Sequence, residues 1–196
     1  PDDKKAQSQS ATLLVLREIL FAEVMKERLA LNLSMPTAFT RATLSAPAAD
    51  TLQERADAAW RAGETEEAER LYRLVLESNP DDTRALHRVA LASAWTERID
   101  EGIGLLDRLL RLEPGNVEAA VDRARFRAWQ GRLEEALAEL EALDRAHPSN
   151  PRVLEELARI RGWAGDFDRA ASAWDALLGI TPGDPAVLRE RARAQG

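Results

Sequence analysis

Pro80, Pro114, Pro148 and Pro182 stand 34 residues apart, and Ala56, Ala90, Ala124, Ala158 and Ala192 keep the same interval. Two combs of one period across most of a chain restrict it to a repeat architecture, in which one unit stacks on copies of itself. Further combs run at the same step: Trp95, Trp129 and Trp163; the small residues Ala68, Gly102, Ala136 and Ala170; and Gly63, Gly131 and Gly165, with Glu97 in the fourth place.

Inside a unit the apolar spacing is helical, because Leu133, Leu137, Leu140 and Leu143 recur at steps of three and four. Gly131 falls where a left-handed residue would end a first helix, and Pro148 follows the second helix, where continuation is unwanted. The small residues suit a close helix crossing. Each unit therefore reads as a helix hairpin, and a hairpin cannot bury its apolar face alone. The expectation is an all-α solenoid of four helix-hairpin repeats, 49–82, 83–116, 117–150 and 151–184, with a closing helix over 185–196.

The 34-residue period, the small residues and the terminal prolines resemble the tetratricopeptide repeat (TPR) family over residues 49–184 and the closing helix. That resemblance implies a right-handed α-solenoid whose first helices line a concave groove. The chain departs from the family pattern where Leu52, Leu86, Ala120 and Leu154, and Ala59, Ser93, Arg127 and Arg161, replace the usual aromatic residues of the first helix. Some members grip a C-terminal carboxylate with Lys and Asn of first helices. The repeats here contain no lysine, and Asn79, Asn116 and Asn150 sit in the inter-repeat turns, so that clamp is absent.

Residues 1–48 break the period and hold all three lysines, Lys4, Lys5 and Lys26. A non-repeat N-terminal helix is expected from about Ser10 to Leu31, bringing the count to about ten helices, with a linker behind it. Its apolar residues form two stripes, Leu13, Leu16, Leu20, Val24 and Leu31 on one and Leu14, Phe21, Met25 and Leu29 on the other. Two stripes imply contact on two sides. The helix is expected either to dock in the groove of its own solenoid or a second copy, giving a homodimer, or to cap the first repeat.

Composition excludes several classes. With 45% hydrophobic and 31% charged residues the chain can bury a core, and a net charge of -7 argues against non-specific nucleic-acid binding. The absence of cysteine removes disulfides, thiolate metal sites and Cys nucleophiles, and two histidines argue against a His metal cluster. The stretch "ATLLVLREILFAEVM" is interrupted by Arg17, Glu18 and Glu23, so no direct membrane insertion is expected. No phosphate loop, metal spacing or nucleophile elbow is present, so no enzyme activity, cofactor or metal is expected. The compartment stays open between bacterial cytoplasm and periplasm.

Charge points to a groove. Residues 117–130 carry Arg123, Arg125 and Arg127 against Glu118 and Asp122, a balance of +1, whereas residues 132–146 set two arginines against five acids, giving -3. With first helices lining the groove, a protein or peptide partner, acidic in character, follows. Arg125, Arg159 and Arg193 repeat at 34 with Leu91 one step earlier; Arg84 and Arg88 extend the ladder, and His87 adds a groove contact. As solvated charges they would contribute little to stability, so reversing Arg125 and Arg159 should weaken an acidic partner and leave the fold intact; the alternative is pairing with Asp122, Glu155 and Glu156. Trp95, Trp129 and Trp163 either wedge between hairpins or face a ligand.

Two functions follow. One is a non-enzymatic protein-protein interaction scaffold with an arginine-lined groove for a helical or extended acidic segment. The other, suggested by the "AWQG" and "GWAG" turns, is a periplasmic solenoid of a bacterial outer-membrane or exopolysaccharide-export system.

Overall fold

Each helix begins where its sequence caps it. Thr51 and Glu54 form a reciprocal capping box at the start of α1 (Leu52–Ala62). The later first helices start at Asp82, Asn116, Asn150 and Asp184, a further comb of step 34, whose side chains accept hydrogen bonds from first-turn backbone N–H groups. These residues open α3 (Thr83–Trp95), α5 (Val117–Trp129), α7 (Pro151–Trp163) and α9 (Pro185–Arg193). Between them lie the second helices α2 (Thr65–Ser78), α4 (Ile99–Leu112), α6 (Leu133–Ala146) and α8 (Phe167–Ile180). Acidic residues occupy their first turns, complementing the helix dipole.

This computed structural model describes residues 51–194, and every regular element among them is an α-helix. The helices total nine there; the helix expected near residues 10–31 and its linker lie outside the described residues. Helices pair in chain order, α1 with α2 through α7 with α8, each second helix also packs on the next first helix, and α9 closes on α8. The protein is a right-handed α-solenoid of four helix hairpins and a closing helix.

The turn inside each hairpin uses a left-handed residue. Gly63, Gly131 and Gly165 have φ of 78°, 81° and 78°, and Glu97, in the fourth place, is held at φ 60° without the freedom of glycine. The core runs as a chain of clusters, each joining one hairpin to the following first helix: Tyr72 and Val89 in one, Leu106 and Phe126 in the next, then Leu140 with Leu157, and Leu154 with Trp174. The alanine comb Ala56, Ala90, Ala124 and Ala158 is fully buried at the crossings. At α4 the opposing small residue must be glycine. A Cβ on Gly102 would stand 2.9 Å from the Phe126 ring and 3.0 Å from the Ala90 carbonyl oxygen.

Candidate functional site

An acid comb accompanies the arginine comb. Asp122, Glu156 and Glu190 are 34 residues apart, each three residues before Arg125, Arg159 or Arg193. On a helix that spacing makes neighbours. Arg125 donates through Nη1 to Asp122 at 3.0 Å, and through Nε and Nη2 to Glu156 of α7 at 3.0 and 2.5 Å. Asp122 also accepts from His87 of α3 at 2.8 Å and from Arg152 of α7 at 2.7 Å. One network therefore ties three successive first helices together.

The network is out of water: Asp122 and Glu156 are each 1% exposed and Arg125 is 6% exposed. Burial alone would push the Asp122 carboxyl up, but the His87 hydrogen bond and the charges of Arg125 and Arg152 outweigh it and hold the group at about 2. Burial would likewise raise Glu156, and the charge and hydrogen bonds of Arg125 keep it below the usual carboxylate range. For Arg125, burial disfavours the cation, and the Glu156 and Asp122 charges more than compensate, so the guanidinium stays charged. Glu156 Oε2 and Arg152 Nε make no hydrogen bond among the described residues.

Two family models, both described as tetratricopeptide repeat, match residues 49–94 and 96–160. The chain is a tetratricopeptide repeat protein. No curated protein matches its sequence. Among solved structures it resembles residues 41 to the end of MamA from Desulfovibrio magneticus RS-1, with TM-score 0.63 and 18% identity over 73% of this chain and 81% of that one. MamA AMB-1 gives TM-score 0.58 and 24% identity over 73% of this chain and 78% of that one. These likenesses show the fold.

In this tetratricopeptide repeat protein the proposed groove residues sit differently from a free arginine ladder. Arg125 is not a groove side chain; its partners are inside, so the expectation that its charge is solvated and immaterial to stability is wrong. Arg159 bonds Glu155 at 2.6 Å and Arg193 bonds Glu190 at 2.7 Å. Leu91, in the Arg register of the earlier repeat, is buried in the core instead. Arg84, 63% exposed along its side chain, reaches Asp57 of α1 at 2.8 Å, and the Arg88 guanidinium lies 4.6 Å from the Trp60 ring centroid. His87 serves Asp122.

The tryptophans pack. Trp95 stacks on Trp60 with centroids 5.9 Å apart, Trp129 stacks on Phe126 at 5.3 Å, and Trp163 packs on the α5–α7 core. Trp60 and Trp95 keep part of their surface open. The charge difference between helices also has a structural cause. Arg123 bridges Asp107 and Glu139 of the second helices, Arg127 also takes Glu139, and Arg161 takes Glu141. Basic first helices and acidic second helices thus neutralise one another at the hairpin contacts. A cleft of 530 Å³ lies on that side, between α4 and α6 over Ala120 and Arg123. Another, of 300 Å³, is lined by α7 and α9, by Trp174 and Leu177 of α8, and by Arg152, Arg159 and Glu190.

The tetratricopeptide repeats make the molecule a protein-protein interaction scaffold. Among the described residues no helix is long and apolar enough to cross a membrane, and no group of three or more His, Cys, Asp or Glu could hold a metal ion.

Proposed function

We propose that the scaffold binds a carboxylate-bearing polypeptide segment on the first-helix side of its N-terminal half, across α1 and α3. The observation that supports this reading is the pairing of Arg84 and Arg88 with the half-buried stack of Trp60 and Trp95. Cations beside aromatic faces offer an acidic segment both charge and apolar contact. Arg84 is held by Asp57 in an exposed pair, and such pairs are worth at most about 1 kcal/mol, so a partner's carboxylate can take the guanidinium over. The C-terminal half is less suited to the task, since Arg125, Arg159 and Arg193 already hold acids of the chain itself.

The reading is tested by following tryptophan fluorescence while a synthetic decapeptide of alternating Glu and Leu is added, with a Lys and Leu peptide as control. Binding of the acidic peptide, weakened roughly threefold to tenfold by Arg84→Glu and by added salt, is the expected result. Equal affinity for both peptides, or no response to Arg84→Glu, refutes it.

A further inference from the structure

At one junction in the middle of the solenoid the first helix changes character. In α3 the buried pair is Leu86 with Val89 and in α7 it is Leu154 with Leu157, whereas α5 holds Ala120 and Arg123 in the same two places. Glu139 of α6 likewise stands where α4 has Leu105 and α8 has Ala173. Side chains that fill the other junctions are replaced here by a short one and by charge. Of the four hairpins, α5 with α6 is also the least closely packed.

The charges form a brace. Arg123 donates to Asp107 of α4 at 2.6 Å and to Glu139 of α6 at 2.5 Å, and Glu139 is also taken by Arg127. The two second helices are thus tied at the separation a guanidinium spans, and the 530 Å³ cleft lies over Ala120, the place that leucine fills in α3 and α7. A space of that size is in the range that admits a ligand. Leu110 of α4 and Ala142 and Leu143 of α6 give it apolar walls. Its acids are neutralised by Arg123 and Arg127, but Arg111, an exposed residue of the lining, makes no hydrogen bond or ion pair among the described residues. One cation is left without a counter-charge beside an apolar hole.

We propose that this cleft is a second peptide site, on the second-helix side of the scaffold. It takes an extended, acidic segment of a partner protein, with a leucine-sized side chain over Ala120 and a carboxylate on Arg111. The lining runs from Asp107 to Pro114, about 10 Å at the helical rise, which is the span of about three residues of extended chain. Residues two apart in such a chain point the same way, so a leucine and an acid at that spacing reach both features. The cleft shares no residue with the α1 and α3 surface, so the scaffold can hold two segments at once.

The chain contains no cysteine, so Ala138→Cys, an exposed position one turn from Ala142, takes a single environment-sensitive fluorophore. The labelled full chain is titrated with a peptide in which Leu-Ser-Glu-Ser-Leu is flanked by Gly and Ser, offering the spacing in both chain directions. Control peptides carry Lys for Glu, or Ala for both Leu. The expected result is a saturable response to the first peptide and at least fivefold weaker binding of each control. Arg111→Glu should weaken the first peptide at least threefold. Ala120→Leu, which restores the residue of α3 and α7, should abolish binding while Tm stays equal or rises, and Ala142→Phe should block the cleft from an exposed position. Arg84→Glu should leave the response unchanged. The proposal is overturned by the absence of a saturable response, by equal binding of the Lys peptide, or by undiminished binding to either blocked variant. Loss of the response in Arg84→Glu also overturns it, and in that case the first-helix site stands.

Discussion

Removing the Arg125 side chain is the sharpest test of how the first helices are joined. Its guanidinium supplies both hydrogen bonds received by Glu156 Oε1, and Glu156 Oε2 has none among the described residues, so Arg125→Ala leaves a carboxylate 1% exposed with no hydrogen bond from the described residues at either oxygen. Asp122 keeps His87 and Arg152. Breaking one side of a buried ion pair costs about 3 to 5 kcal/mol, mostly the penalty of stranding the other charge. For a chain of this size each kcal/mol lowers Tm by about 2 to 4 °C, so a fall on the order of 10 °C is expected. Urea unfolding followed by circular dichroism gives the free energy independently. The stranded-charge argument also predicts that Arg125→Met with Glu156→Leu recovers most of the loss, since both charges are then gone. A loss below about 1 kcal/mol for Arg125→Ala, or a double variant no better than the single, refutes the reasoning.

Acid should weaken the same contact. The folded pKa of Asp122, about 2, lies below the ordinary value near 3.9, so its stabilisation is complete above about pH 5 and is lost as the pH falls toward 2, with Glu156 acting in the same direction; unfolding titrated from pH 6 to 2 should be less acid-sensitive in Asp122→Asn. Gly102→Ala gains about 1 kcal/mol of helix propensity and loses about 1 to 3 kcal/mol to overpacking against Phe126, so a net loss is expected in urea unfolding, relieved when Phe126→Leu is added. Glu97→Gly should stabilise by about 1 kcal/mol in the same assay, because Glu97 sits at φ 60° where the other hairpins place glycine.

Most of the fold was legible because its determinants are periodic and local. The proline, alanine and glycine combs mark turns and crossings that depend on residues a few positions apart, and the caps Asp82, Asn116, Asn150 and Asp184 were a comb of the same kind that the sequence reading did not use. The arginine ladder was open to two readings, solvated charge or pairing with Asp122, Glu155 and Glu156, and the acids three or four residues earlier bear out the pairing: Arg125 meets Asp122 and Glu156, Arg159 meets Glu155, and Arg193 meets Glu190. That signal was present. Others were not, since the meeting of His87 with Asp122 and of Phe126 with Gly102 depends on how far one hairpin rotates over the next, which no spacing along the chain encodes.

The register at which the ladder stops divides the molecule. From α5 onward the first helices carry an acid and an arginine three residues apart, and Arg125 reaches across to Glu156 of the next repeat, so charge holds α5 to α7. In α3 the same two positions are Arg88 and Leu91: the cation replaces the acid, and the arginine place is taken by a core leucine. In place of an acid pair, Arg88 lies over the Trp60 ring of α1, and the first helices of the first two hairpins meet through the stacking of Trp60 on Trp95 beside the Arg84–Asp57 pair. A single change of register therefore separates α5 and α7, joined by buried charge, from α1 and α3, joined by aromatic stacking and the exposed Arg84–Asp57 pair.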